Sequence, residues 1–254
     1  PCLGRLMRNF AHRSLVLYAK NQASWSLQSV ATVAALFALS ISGWAFGVAI
    51  SCFLLTISVT RADISVARDG PPLALFSVFV FSGFFNDPRL SVMVGIVALI
   101  STPAIAAIGN RGMTSLVAQT MSILGAWFPA GLLTVSLTIL ANRDRSLVAL
   151  LLVLIYFHDL GLQLCSRSHG IKRLAPVFAL AGTLTLLWAA MQVSVSPIPH
   201  EWFWQFGALV GFAMTVSRIF TELLVVHRWR AALAISSYVF TGPIWAAVAL
   251  GVVL

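Results

Sequence analysis

Two oppositely charged groups interrupt apolar runs of this chain. Asp159 follows His158 in the run that begins at Leu147, and Arg218 breaks a second run, with Glu222 four residues further on. An ionisable side chain inside a membrane span is energetically expensive and marks a functional site by default. Asp159 has two readings, a buried acid paired to a base or a metal or proton site. One carboxylate alone holds a divalent cation poorly, because Mg2+ usually takes one or two carboxylates together with substrate phosphates. Arg218 needs a partner. Glu222, on the same helical face, is the local candidate, and Asp159 is the long-range one. Beyond Asp159 the chain leaves its apolar run through Arg167, His169, Lys172 and Arg173 and closes on Pro176. His169, Lys172 and Arg173 suit a phosphate or lipid headgroup, or simply mark a cytoplasmic loop. His227, Arg228 and Arg230 form a second basic cluster with the same two readings.

The elements that must position these groups are membrane spans. The 254-residue chain is 59% hydrophobic and 9% charged, whereas soluble domains carry about 25% charged residues. One all-α membrane domain over 26–254, with its core in 114–254, follows a basic amphipathic lead-in over 1–25 that holds Arg5, Arg8, Arg13 and Lys20 without an acid. Residue 1 is Pro1, as expected of a trimmed chain or a fragment. The net charge of +9 fits the positive-inside bias of a multi-span protein. Nucleic acid is not an expected partner, because no folded basic block lies outside the spans. Cys2, Cys52 and Cys165 are far apart and suggest neither a zinc site nor a disulfide framework. No GxSxG, HExxH, Gly-rich phosphate loop or GxGxxG occurs.

Nine spans are expected, at 26–42, 44–60, 71–86, 90–108, 114–141, 146–165, 174–194, 203–226 and 231–254. Ser42-Gly43 is a tight turn between the first two. Pro71-Pro72 suits the start of the third. The fifth is long for one span, and Pro129 is the place for a kink or break. Counted as one span, with the N-terminus cytoplasmic, it leaves Arg5, Arg8, Arg13, Lys20, Arg61, Arg68, Arg111, Arg167, Lys172, Arg173, Arg228 and Arg230 inside. Only Arg89, Arg143 and Arg145 fall outside, a strong asymmetry. Gly207 and Gly211 form a GxxxG, expected to serve close helix packing.

The stretch YFHDLGLQLCSRSHGIKRLAP, from Tyr156 to Pro176, resembles the core of the phosphatidate cytidylyltransferases, the CDP-diacylglycerol synthases. In that family an Ala-Ser-Asp-x-Gly-Ala-Tyr run ends a span, and a Gly-Lys-His-(Lys)-Leu-Ala-Pro loop follows. Asp159 and Gly161 stand at the Asp and Gly positions, and Leu174, Ala175 and Pro176 keep the loop's ending. Residues 116–140 look like the family's preceding span. The resemblance implies a bacterial inner-membrane enzyme joining CTP to phosphatidate and releasing pyrophosphate, with Mg2+ as cofactor. It further implies Asp159 as the catalytic metal ligand, phosphate contacts at His169, Lys172 and Arg173, and a possible homodimer.

The departures fall on the catalytic parts. Ala181 and Gly182 stand where the family has a lysine pair, and only Thr183 of that run is kept. Arg218 replaces an aspartate, Thr221-Glu222 replaces a Glu-Ser, and the late acidic signature is missing. An arginine beside Asp159 would balance charge where a metal would otherwise sit. The expectation is therefore a divergent member with reduced or lost activity. Two other readings compete with turnover. One is a non-catalytic membrane protein that binds an anionic lipid or a partner, and the other is a small transporter, disfavoured by the absence of an obvious repeat.

Overall fold

The computed structural model describes residues 25–61, 66–109, 115–167, 174–223 and 238–252. Among them no strand occurs. The helices are α1 (Trp25–Ile41), α2 (Gly43–Arg61), α3 (Val66–Gly83), α4 (Pro88–Gly109), α5 (Leu116–Arg143), α6 (Arg145–Arg167), α7 (Ala175–Gln192), α8 (Phe203–Leu223) and α9 (Thr241–Val252). A 3-10 turn, His200–Trp202, precedes α8. Residues 1–24 of the basic lead-in lie outside the described residues, as do residues 231–237 and 253–254 of the ninth expected span.

Among the described residues four helices, α4 to α7, are long and apolar enough to cross a membrane. Large apolar side chains also cover the outside: Val33, Phe37, Phe81, Ile100 and Phe212 are all exposed. Water-soluble monomers rarely show contiguous apolar surface on this scale. Helices suit such a chain because they satisfy every backbone group within the segment. Polar residues in the spans obey the same constraint. The hydroxyls of Ser51, Thr102, Thr134, Thr138 and Thr215 each donate to the carbonyl four residues back.

The centre of the bundle is α5. Of its membrane-length window 67% is buried, against 28% to 39% in α4, α6 and α7. The helix continues through Pro129 without a break, and Ser115 caps its start by accepting from Ala118 N at 3.2 Å. One core joins α5 to α2, α3 and α4 around Phe76, Phe79 and Trp127. A second, larger core joins α5 to α1, α6, α7, α8 and α9 around Leu140, Leu151, Phe206 and Trp245. Glycines let neighbours approach α5. A Cβ on Gly43 would lie 2.7 Å from the Ala141 carbonyl carbon, and one on Gly47 would lie 2.7 Å from Thr138 Oγ1.

Two expectations change. The third helix starts at Val66, with Pro71 and Pro72 inside it rather than at its head. The ring nitrogens lose two i to i−4 bonds in the second turn, but the fixed φ of proline remains compatible with a helix. The GxxxG pair is also used unevenly. A Cβ on Gly207 would lie 3.3 Å from Leu184 Cδ2, whereas one on Gly211 would meet nothing within 4 Å. Among the described residues only the first glycine meets a neighbouring helix, at Leu184 of α7.

Candidate functional site

Asp159 lies fourteen residues into α6 and Arg218 fifteen residues into α8. Both helices start at the same end of the bundle, after the Asp144 junction and the 193–202 connection. At 1.5 Å per residue the two groups sit at about 21 and 22 Å from those starts. Equal depth on parallel helices lets two side chains meet, and here they do. Arg218 Nη1 donates to Asp159 Oδ1 at 2.7 Å.

A third group closes the triangle. Tyr238 Oη accepts from Arg218 Nη1 at 2.8 Å and donates its proton to Asp159 Oδ1. The single phenol hydrogen goes to the carboxylate, so its lone pair is what faces the guanidinium. The Arg218 guanidinium carbon is also 5.3 Å from the centroid of the Tyr238 ring. Asp159 is 7% exposed, Arg218 2% and Tyr238 5%, so the ion pair and its phenol are shielded from bulk solvent.

The local sequence holds each member in place. Tyr238 sits in the turn before α9, which is tied to α8 on both sides: Phe240 N donates to Ser217 Oγ at 3.0 Å, and Thr241 Oγ1 donates to Ala213 O at 3.2 Å. Trp245 Nε1 reaches Leu147 O on α6 at 3.1 Å and packs against Phe206 of α8. On the other flank α6 and α7 come very close. A Cβ on Gly161 would lie 3.0 Å from Ala179 Cα. That approach brings fully buried His158 to Thr183, with Nδ1 3.2 Å from Oγ1. The Thr183 hydroxyl gives its hydrogen to Ala179 O at 2.8 Å, so the His158 Nδ1 is the donor to Thr183. The His158 ring meets Tyr238 edge to face at 5.8 Å.

The remaining expected groups are not among the described side chains. His169, Lys172 and Arg173 lie outside the described residues. Glu222 belongs to the last turn of α8, and its side chain lies outside them too. Tyr238 was not legible as a site residue, because it stands in an apolar stretch without an acid. The usable signal is its scarcity: the chain has only 3 tyrosines, and a tyrosine in an apolar segment needs a partner for its hydroxyl.

The donor set does not fit a divalent metal. Asp159 Oδ1 already receives a guanidinium and a phenol, and a cation placed there would face the positive charge of Arg218. Among the described residues no group of three or more His, Cys, Asp or Glu side chains converges. The arrangement can clamp α6, α8 and the start of α9 together.

Fold and site together are of one class, a helical bundle with an apolar exterior and a neutralised charge cluster in its interior, compatible with an integral membrane protein. No protein-family model, curated protein or solved structure matches the chain.

Proposed function

We propose that this chain is a non-catalytic membrane protein on a cytidylyltransferase-like scaffold that contacts an anionic lipid, phosphatidate or another, through His169, Lys172 and Arg173. The observation that carries the loss of catalysis is the direct pairing of Arg218 with Asp159. Transfer of a cytidylyl group from CTP to phosphatidate depends on positioning and on cations that neutralise phosphate charge. A carboxylate bound to a fixed guanidinium and a phenol is not available for that task. The lipid contact rests on the density of basic residues between Arg167 and Arg173, which attract anionic headgroups at a membrane surface. In this reading the chain has nine spans, a cytoplasmic N-terminus and a place in a bacterial inner membrane.

Purified protein mixed with CTP, phosphatidate and Mg2+ or Mn2+ should form no CDP-diacylglycerol. Metal-dependent product that vanishes in Asp159→Asn would restore the enzyme reading. Co-flotation with phosphatidate vesicles should weaken when Lys172 and Arg173 are both changed to Gln. Unchanged flotation of that variant would remove the lipid contact from this loop.

A further inference from the structure

The helices differ in how readily they would enter a membrane alone. Among the described residues α4 to α7 are long and apolar enough to cross it, and α1, α2, α3 and α9 supply shorter apolar stretches. In the same residues α8 belongs to neither group. Gln205, Thr215, Ser217 and Arg218 interrupt it, and an arginine is among the most unfavourable residues in an inserting helix. The other member of the ion pair does not carry the same handicap. α6 is apolar enough over Arg145–Cys165 with Asp159 included.

Chain order separates the members of the charge cluster in time. Asp159 precedes Arg218 by 59 residues, so α6 and α7 are already made when α8 emerges, since synthesis runs from the N-terminus. Those two helices pack closely, with a Cβ on Gly161 only 3.0 Å from Ala179 Cα. They present α8 with two contacts: Leu184 Cδ2 of α7, 3.3 Å from a Cβ on Gly207, and Asp159 Oδ1 of α6, 2.7 Å from Arg218 Nη1. Tyr238 follows Arg218 by 20 residues and joins later. Of the three, Asp159 is the group in place when the arginine arrives. A charge inside a span is tolerated when it is paired there.

We infer that α8 is a conditional span, whose crossing of the membrane depends on Asp159 of α6. The acid is the docking point for Arg218 during assembly, so the pair sets the topology of the chain beyond α8 as well as its stability. This rests on α6 and α8 being membrane spans, as proposed above.

The test is cysteine labelling of the full chain in a bacterial host, with a membrane-impermeant maleimide applied to intact cells and to inverted membrane vesicles. Cys2, Cys52 and Cys165 are replaced by Ser. One cysteine is then introduced at a time, by Glu201→Cys before α8 or by Trp229→Cys after it. In the otherwise unmodified chain positions 201 and 229 should label from opposite sides. Labelling from one side there would overturn the assignment of α8 as a span, and the dependence on Asp159 with it. In Asp159→Leu the ratio of opposite-side to same-side chains should fall about tenfold, the scale of an unpaired arginine in an inserting helix. In Asp159→Leu with Arg218→Met the ratio should recover, because no arginine then enters the membrane. Tyr238→Phe should leave it unchanged. The ratio is read on membrane-extracted chains, so it does not depend on how much of each variant accumulates. A pair that only stabilises the finished bundle leaves both positions on their own sides. The dependence alone is overturned if opposite-side labelling persists in Asp159→Leu, if the double variant does not recover, or if Tyr238→Phe lowers the ratio as much. It is also overturned if Glu222→Gln, rather than Asp159→Leu, brings the two positions to one side.

Discussion

Arg218 and Asp159 are separated by 59 residues in the chain and by 2.7 Å in space. The pair is buried, and Tyr238 bonds to both members. Removing one partner of a buried ion pair leaves an uncompensated charge and costs about 3–5 kcal/mol, whereas replacing both by apolar groups is often neutral. Arg218→Met and Asp159→Leu should therefore each destabilise strongly, and the double variant should recover most of the loss. Unfolding in detergent followed by circular dichroism measures this cycle. Additive losses would show that the two residues do not stabilise one another.

Tyr238→Phe removes the phenol and both of its bonds while keeping the ring that packs on His158. Hydrogen bonds to charged groups contribute about 1.5–3 kcal/mol. The variant should lose an amount in that range in the same unfolding measurement. In an Asp159→Leu background the loss should shrink, because the charged acceptor of the phenol is gone. An equal loss in both backgrounds would assign the effect to packing alone.

Thr183 is the buried acceptor for His158. Thr183→Val keeps the shape but removes the hydroxyl that accepts from His158 Nδ1 at 3.2 Å, a loss of about 0.5–1.5 kcal/mol for one hydrogen bond. Thr183→Ser, which retains the hydroxyl, should be closer to the unmodified protein. A Ser variant as unstable as Val would show that the methyl, and not the hydroxyl, matters.

The glycines divide into two groups with opposite expected signs. Gly43→Ala and Gly161→Ala place a methyl against backbone, at 2.7 Å from the Ala141 carbonyl carbon and 3.0 Å from Ala179 Cα. Overpacking of this kind costs about 1–3 kcal/mol. Gly182→Ala and Gly211→Ala enter space with nothing within 4 Å and should stabilise their helices by about 0.5–1 kcal/mol. Melting temperatures of the four variants check the division. A loss at Gly211 matching that at Gly161 would mean that another surface packs against α8.

The 3.1 Å bond from Trp245 Nε1 to Leu147 O fastens α9 to α6. Trp245→Phe should cost about 1 kcal/mol for the bond, with more for the smaller ring. Because α9 also carries the turn that holds Tyr238, the same variant should raise hydrogen exchange at Phe240 and Thr241. Unchanged exchange there would uncouple the tryptophan from the charge cluster.

The helical, membrane-type character of the chain was legible from its residues. Apolar runs of bilayer length admit few conformations other than helices, since their backbone groups must be satisfied internally. The depth of Asp159 and Arg218 could also be counted, because helical rise is constant and both groups lie a fixed number of residues beyond their helix starts. Register along a helix is a one-dimensional property and survives in the sequence.

Partner choice does not survive there. Glu222 and Asp159 were both open to Arg218, and the packing of α6 and α8 around the α9 turn is what brings Asp159 Oδ1 into reach. Tyr238 entered for the same reason: its hydroxyl acquires meaning only where three segments converge. The central place of α5 was equally hidden, because a buried span and a lipid-facing span are both apolar. In water, hydrophobicity separates inside from outside; in lipid it does not. What distinguishes α5 is where glycines and close-packed side chains meet. The sequence by itself determined the helices and the depth of their charges, and only the tertiary structure decided which charges were paired and which helix stood at the centre.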